Sequence, residues 1–191
     1  PVLLDVPEDV CHGEHGFTAE DFHIPAETLA APSRRSRPDK TAIERAAALL
    51  AKARRPLLLV GGGVHLSAGQ AALQRLAESC GIPVAHTMSG KGSIACTAPL
   101  SVGLFGRYSR IANDLIAASD CLLVVGCKLG EIATKRYALI PPGVPMIHLD
   151  IVAEEIGRHQ RTDVALWGDA AAGLDDLADA LAGDAPRLRG E

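Results

Sequence analysis

The chain alternates between two kinds of apolar pattern from Pro38 onwards. Apolar residues first recur at helical spacing, and the positions that would share one face are Ile43, Ala46, Ala47 and Leu50. The uninterrupted apolar run 57–60 then predicts a strand that is covered on both faces. A second helix follows, with Ser67 as its cap, Gln70 as the reciprocal capping partner and Gly81 as its end. Its buried face is predicted to consist of Ala72, Leu73, Leu76, Ala77 and Cys80.

The same alternation continues to residue 182. Further strands are predicted at 82–87, 101–106, 121–126, 145–151 and 164–169. Helices are predicted at 110–119 and after residue 169, where the buried face would be Leu174, Leu177, Ala178 and Leu181. Strands that alternate with helices form parallel sheets through right-handed crossovers. The sequence therefore predicts an α/β fold, a doubly wound and mostly parallel six-stranded sheet, in one Rossmann-like domain over residues 39–182.

The residues on either side of this domain follow different patterns. Residues 1–10 are predicted to contain a strand, Val2–Val6, which Pro7 closes and which has no earlier element to pair with. We therefore expect them to be the tail of a preceding domain, and the chain to be a piece of a longer protein. Residues 11–38 lack periodicity and are interrupted by prolines, so we expect a linker there. Residues 183–191 are interpreted as the start of a second linker.

Composition and charge narrow the class of function. The formal net charge is −4, with no basic surplus, which argues against nucleic acid as the main partner. No apolar run approaches the roughly 20 residues that span a bilayer, so no membrane contact is predicted. The N-terminus lacks a signal-peptide pattern, and the 5 cysteines show no paired spacing. These features favour reduced thiols in the cytoplasm.

Glycines collect after the predicted strands. They are Gly61, Gly62, Gly63, Gly90, Gly92, Gly103, Gly106, Gly126 and Gly130. In a parallel sheet these strand ends meet at one edge, where ligands bind near the switch in strand order. Backbone without Cβ lets a phosphate approach closely. Each loop alone also has a simpler interpretation as a strand-to-helix turn, whereas several loops together favour a binding crevice.

The usual nucleotide-binding motifs are absent. Gly61 and Gly63 would need a third glycine at position 66, which is Leu66, and no acidic residue ends the next predicted strand. The P-loop pattern is missing as well, and a hydride-transferring NAD dehydrogenase is therefore disfavoured. No Ser-His-Asp order, HExxH, CxxC or nucleophile elbow is present. The sequence assigns no catalytic residue.

Several polar positions have more than one interpretation. The segment CHGEH, 11–15, contains metal-ligand types but lies in the predicted linker, and no metal site is assigned. His148 lies within a predicted strand and is interpreted as a core histidine. Asp150, at the end of that strand, either accepts a ribose hydroxyl or caps the next segment. Asp169 is interpreted as a helix N-cap, and Trp167 is expected at the edge of the sheet.

Several segments, taken in order, resemble the central domain of the acetolactate synthase family of thiamine-diphosphate-dependent enzymes. They are RPLLLVGGGV, GIPVAHTMSGKGSI, GLFGRYSRIAND, SDCLLVVGCKLGE and MIHLDIVAEEIGRH, followed by GDA. The opening PVLLDVPEDV resembles the end of the N-terminal, pyrimidine-binding domain of these enzymes. The resemblance implies a Rossmann-like, DHS-like NAD/FAD-binding fold for the central domain.

The resemblance also implies the setting of this domain. Family members have three domains and form homodimers or homotetramers. Thiamine diphosphate and Mg²⁺ lie between the first and third domains, where a 2-oxo acid is decarboxylated and its remainder is transferred or released. The catalytic glutamate and the metal-binding motif would lie outside this chain. We therefore expect flanking domains of the same chain as partners, and no turnover by this fragment alone.

In flavin-binding members of the family, the central domain holds FAD, while in others the crevice holds another nucleotide or none. The implied contacts are Gly62, Gly63, Thr87, Met88, Gly106, Gly126, Lys128, Asp150, Ile151, Gly168 and Asp169. Two features depart from the flavin-binding pattern. Lys128 stands where those members have arginine, and Tyr108 and Ser109 bring side chains into a loop that tends to carry glycine. FAD stays open, as does the alternative of a stand-alone NAD- or FAD-binding module.

Overall fold

A computed structural model describes residues 3–29, 32 and 34–184 of the chain. The chain divides into two compact units, Pro1–Ser33 and Arg34–Glu191. In the first unit, helix α1 (Glu8–His12) is followed by two 3₁₀ helices, Ala19–Phe22 and Ala26–Thr28. The predicted strand Val2–Val6 is wrong for residues 3–6, which form no strand and are exposed; Val2 lies outside the described residues. The reason is physical: an apolar run becomes a strand only where another strand pairs with it.

The second unit contains the predicted alternation of helices and strands. Its helices are α2 (Lys40–Lys52), α3 (Gly63–Leu66), α4 (Gln70–Cys80), α5 (Ile111–Ala118) and α6 (Ala170–Ala180). Its strands are β1 (Pro56–Val60), β2 (Val84–His86), β3 (Ser101–Leu104), β4 (Cys121–Val125), β5 (Met146–Asp150) and β6 (Val164–Trp167). A 3₁₀ helix, Ala153–Glu155, follows β5.

The six strands form one sheet in the order β3-β2-β1-β4-β5-β6, and every neighbouring pair is parallel. The predicted doubly wound, six-stranded sheet is confirmed. The strand order reverses direction between β1 and β4, which makes their carboxyl ends the switch point where ligands bind in such folds. Trp167 lies on the edge strand β6 and is exposed, as expected.

The central strands are buried on both faces because helices cover both sides of the sheet. Leu58 and Val60 of β1 pack into a cluster that includes the apolar faces of α2, α4 and α6. Leu57 and Leu59 of the same strand point to the opposite cluster, which includes α5. This explains why β1 is a continuous apolar run rather than an alternating one.

The predicted capping role of Ser67 is wrong. Helix α4 begins at Gln70 with Gly69 as its N-cap, and no side chain in the described part of the chain caps it. Ser67 instead follows the short helix α3, and its hydroxyl accepts a 2.9 Å hydrogen bond from the backbone N–H of Ala171 in α6. The hydroxyl therefore satisfies a different helix N-terminus. The predicted end of α4 is confirmed, since Gly81 is left-handed with φ 66°.

Candidate functional site

A cleft of about 700 Å³ opens at the carboxyl ends of β1 to β4, directly over the switch point. Its lining includes the glycine loop after β1, residues 87–89 after β2, residues 104, 105, 107 and 108 around the end of β3, and residues 126–133 after β4. Most of the lining is backbone or apolar side chain, with Arg107, Lys128 and Glu131 as its charged members. A concave, mainly apolar site with a few polar groups is typical of small-molecule binding.

The glycines at the switch point are required by the packing of two loops. A Cβ atom at Gly61 would lie 2.3 Å from the carbonyl oxygen of Gly126, and one at Gly63 would lie 2.6 Å from the Gly126 Cα. The backbone N–H of Gly63 donates a 3.0 Å hydrogen bond to that carbonyl. Gly126 itself has φ 53°, where side chains are strained. The contact between the β1 and β4 loops therefore explains these three glycines, whatever ligand enters the cleft.

The structure brings six of the eleven residues implied by the family resemblance into the cleft. They are Gly62, Gly63, Thr87, Met88, Gly126 and Lys128. Gly106 stands between two lining residues, Phe105 and Arg107, and has φ 113°. A Cβ atom there would lie 2.9 Å from the carbonyl oxygen of Ile132, so this glycine permits close packing of the β3 and β4 loops.

The other four predicted residues lie at or just after the ends of β5 and β6 and are not among the residues that line the cleft. The Asp150 carboxylate accepts a 2.9 Å hydrogen bond from the N–H of Val152, which is the capping alternative given by the sequence. Ile151 is exposed. At Gly168, a Cβ atom would lie 2.7 Å from the ring of Pro38, so chain packing accounts for that glycine.

Asp169 is the N-cap of α6, as predicted, and its carboxylate is fully engaged within the chain. It accepts hydrogen bonds from the N–H of Ala172, from Ser67 Oγ at 2.8 Å and from Arg35 Nη1 at 2.7 Å. Burial on its own would raise the pKa of Asp169, but these hydrogen bonds outweigh it and lower the pKa below its ordinary value. Asp169 therefore stays ionised as a structural group.

Two titratable groups near the cleft, His148 and Cys127, are buried and held in their neutral forms. His148 Nε2 lies 3.1 Å from the carbonyl oxygen of Cys127, and burial lowers the pKa of this imidazole. Burial also raises the pKa of the Cys127 thiol to about 11, so the thiol is protonated at neutral pH. The prediction of a core histidine is confirmed.

Two carboxylates hold the cations at the rim of the cleft. Glu131 Oε1 lies 3.5 Å from Arg107 Nη2 and 3.8 Å from Arg136 Nε. Neither Arg107 nor Glu131 is among the site residues that the sequence predicts, although both lie in loops that follow predicted strands. Local patterns carry no signal for a contact between side chains 24 residues apart.

The remaining cation of the lining is held in a similar way. Glu155 Oε1 lies 3.5 Å from Lys128 Nζ and 3.1 Å from Arg158 Nη1. Glu155 is buried, and its second oxygen, Oε2, has no hydrogen-bond partner among the described residues.

Outside the cleft, the segment 11–15 shows local contacts. His12 Nε2 lies 3.8 Å from Glu8 Oε1, and His15 Nε2 lies 3.1 Å from the carbonyl oxygen of Val10. Within the described ranges, no group of three or more histidine, cysteine or acidic side chains is placed to hold a metal ion. None of the helices in the described part of the chain is long and apolar enough to cross a membrane.

Comparison with known proteins adds a family model and relatives. The model for the central domain of thiamine pyrophosphate enzymes matches residues 43–177. A "Probable acetolactate synthase large subunit" of Methanocaldococcus jannaschii is 37% identical over 183 residues, which cover 95% of this chain and 31% of that protein. An acetolactate synthase large subunit of Parasynechococcus marenigrum is 33% identical over 183 residues, covering 91% of this chain and 28% of that protein. The chain thus spans about 30% of the length of these relatives.

A solved structure supports the fold. An enzyme from Mycobacterium smegmatis, assigned as thiamin diphosphate-dependent, superposes with a TM-score of 0.66 at 22% sequence identity. The match covers 76% of this chain and 28% of that one. At this level of identity, the comparison supports the architecture of the sheet and its helices.

Proposed function

The chain belongs to the thiamine pyrophosphate enzyme central-domain family, and from this premise we propose that it is the middle domain of a longer enzyme of the acetolactate synthase type. The match of residues 43–177 to the family model is the observation that carries this proposal. The parallel sheet with its cleft at the switch point supports it. In this proposal, residues 1–10 end the preceding domain, residues 11–38 are a linker, and residues 183–191 begin the linker to the third domain.

The complete enzyme would be a carboligase or decarboxylase of 2-oxo acids. Thiamine diphosphate, held with Mg²⁺ by the flanking domains, supplies carbanion chemistry to such enzymes. In the described part of this chain, no group of three or more histidine, cysteine or acidic side chains is placed to hold a metal ion, and the buried His148 and Cys127 are a neutral imidazole and a protonated thiol. We therefore infer that this domain supports the reaction by structure and by ligand binding, and that it does not turn over substrate alone.

The cleft fits one planar ring system better than an extended dinucleotide. Apolar side chains line it at Met88, Leu104, Phe105 and Tyr108, which suits the face of an aromatic ring. An FAD molecule that followed the predicted contacts would also reach the ends of β5 and β6. There Asp169 is engaged by Arg35 and Ser67, and Pro38 fills the space at Gly168. We propose that the cleft binds the ring of a nucleoside-type ligand, and that full-length FAD does not adopt the predicted path.

The rim of the cleft suits contact with flanking domains of the same chain. Leu66, Met88, Tyr108 and Ile132 line the cleft, and each exposes more than half of its surface, from 56% for Ile132 to 82% for Leu66. Clustered exposed apolar side chains mark interaction surfaces. A homodimeric or homotetrameric enzyme remains the prediction from the family resemblance, and a cytoplasmic location remains the prediction from the unpaired spacing of the cysteines.

The test compares the 191-residue chain with the longer protein from the same source. Both are assayed for CO₂ release from pyruvate with thiamine diphosphate and Mg²⁺, and their absorbance spectra are recorded for flavin bands. We expect CO₂ release from the longer protein only, and no flavin bands from the 191-residue chain. CO₂ release by the chain alone, or its absence from the longer protein across a series of 2-oxo acids, would contradict the proposal.

A further inference from the structure

One carboxylate of the cleft lining stands between two guanidinium groups. Glu131 and Arg107 both line the cleft, and the same oxygen, Glu131 Oε1, lies 3.5 Å from Arg107 Nη2 and 3.8 Å from Arg136 Nε. Among the described lining residues, Glu131 is the only acid. Arginine pairs are the groups that best bind a phosphate, because the guanidinium fork matches its oxygens. Glu131 therefore stands beside the guanidinium groups that a phosphate at this rim would contact.

Backbone hydrogen bonds hold the segments that carry Arg107, Glu131 and Arg136 next to one another. The N–H of Arg107 donates a 3.1 Å hydrogen bond to the carbonyl oxygen of Ile132, and the N–H of Arg136 donates a 2.8 Å bond to that of Glu131. The three side chains therefore come from backbone segments that are joined to one another. The Arg107–Glu131 pair remains partly exposed, at 39% and 54% of the side-chain surface, so it contributes little to folding stability. Glu131 can consequently be replaced without loss of the fold.

Lys128, the other cation of the lining, is also paired with a carboxylate. Its Nζ atom lies 3.5 Å from the buried carboxylate of Glu155. A phosphate that entered the cleft would thus meet cations that already have carboxylate partners, and it would lie close to the negative charge of Glu131.

We propose that Glu131 is a specificity-determining residue that weakens binding of phosphate groups, so that the cleft takes an uncharged nucleoside-type ring in preference to a polyphosphate. The inference rests on the proposed function for the position of the ring. The role of Glu131 toward anions can be measured separately. A unit charge about 6 Å from a dianion in a water-like medium changes its affinity about tenfold, and added salt reduces the effect.

The experiment uses the full 191-residue chain and two separate probes, inorganic diphosphate and adenosine. Binding is measured by calorimetry, and backbone amide shifts of residues 126–133 locate it. In Glu131→Gln, we expect the Kd for diphosphate to fall about tenfold at low ionic strength and the gain to shrink in 0.5 M salt. Adenosine affinity should be unchanged. Glu78→Gln is the matched control, because Glu78 is exposed on α4 and its loss changes the net charge equally.

The outcomes separate this inference from the proposed function. Diphosphate affinity that is the same in Glu131→Gln and in the unmodified chain, or that rises equally in Glu78→Gln, overturns the role of Glu131. Absence of measurable diphosphate binding to Glu131→Gln overturns it too. If diphosphate binding responds as expected but adenosine does not shift the amides of residues 126–133, the role of Glu131 stands and the ring-binding role of the cleft fails.

Discussion

Ser67 Oγ donates a 2.8 Å hydrogen bond to Oδ2 of Asp169, 102 residues further along the chain. Arg35 joins the same group, because its Nη1 atom donates both to Ser67 Oγ at 2.9 Å and to Asp169 Oδ1 at 2.7 Å. The three side chains connect the segment before α2, the turn after α3 and the start of α6. This group and the contact between Pro38 and Gly168 hold the loop after β6 in place through contacts within the chain.

Replacing Ser67 with alanine should destabilise the second unit. The change removes a donor from the buried carboxylate of Asp169 and leaves the N–H of Ala171 without its acceptor. Buried polar groups that lose a partner cost about 1–3 kcal/mol. Urea denaturation followed by circular dichroism measures the loss in the free energy of unfolding. Thr97→Ala, at an exposed position, should stay within about 0.5 kcal/mol of the unmodified chain; an equal loss in both variants would contradict the role of Ser67.

The low pKa of Asp169 should make stability fall in acid. The carboxylate of Asp169 stays ionised to a lower pH in the folded chain than in the unfolded chain. Its contribution to stability is therefore complete above the unfolded pKa of about 3.8 and is lost as the pH falls below that value. Arg35→Gln removes one donor and should raise the pKa of Asp169 in the folded chain. It should also lower stability at pH 7 by about 1 kcal/mol, because Arg35 is partly exposed.

Carboxyl ¹³C shifts, recorded as a function of pH, measure the pKa of Asp169 directly. Arg161→Gln is the matched control, because Arg161 pairs with Asp163 at an exposed site. A pKa of Asp169 that does not move in Arg35→Gln would rule out this ion pair as a cause of the shift.

The sequence predicts features that depend on neighbouring residues, and it does not predict contacts between residues that are far apart in the chain. Periodicity located the helices and strands of the second unit because burial of one face is a local, repeating constraint, as in Leu73, Leu76 and Ala77 of α4. The pattern failed for Ser67, whose partners are Asp169 and Ala171 on a distant helix. The residues within four positions of Ser67 give no indication of these partners.

For the candidate site, the sequence identifies the loops. It does not show which of their residues line the cleft and which make contacts within the chain. Glycine positions identified the β1 and β4 loops that line the cleft, since tight packing requires glycine there. Aspartate is a common ligand-binding residue, so the sequence alone does not exclude this role for Asp150 and Asp169. The fold shows that Asp150 accepts a hydrogen bond from Val152 and that Asp169 accepts one from Arg35. The Arg107–Glu131 contact likewise depends on how two loops approach one another in space.

Limited digestion with trypsin should separate the two units. Residues 1–33 contain no lysine or arginine, so Arg34 is the first possible site in the chain. Arg34 is exposed, whereas the side chain of Arg35 is engaged by Ser67 and Asp169, and Pro38 follows Arg37. We expect the first cut after Arg34 and a product with an unchanged melting temperature, because the apolar core lies within the second unit. Mass spectrometry identifies the cut; a first cut within residues 40–180 would contradict the proposed linker.

The buried imidazole of His148 should add to the loss of stability on mild acidification. Burial lowers its folded pKa below the ordinary value of 6.5, so the unfolded chain takes up a proton as the pH falls below about 6.5 while the folded chain does not. The free energy of unfolding should therefore decrease from pH 7 to pH 5. His148→Asn should be about 1–2 kcal/mol less stable at pH 7.5 but show a shallower decrease. Calorimetric melting across this range measures the slope, and His23→Asn, at an exposed position, should leave it unchanged.

Two glycine positions in the cleft should differ in their tolerance of alanine. In Gly61→Ala the new methyl group would lie 2.3 Å from the carbonyl oxygen of Gly126 and 2.7 Å from the Cα of Cys127, so the β1 and β4 loops must move apart. Forced overpacking of this kind costs about 1–3 kcal/mol, and we expect the loss in urea denaturation of Gly61→Ala. Gly130→Ala is the control in the same cleft, since a Cβ atom there meets nothing within 4 Å. Tolerance of alanine at both positions would mean that packing does not require Gly61, and a ligand that approaches the loop closely would then become the better explanation for the glycine.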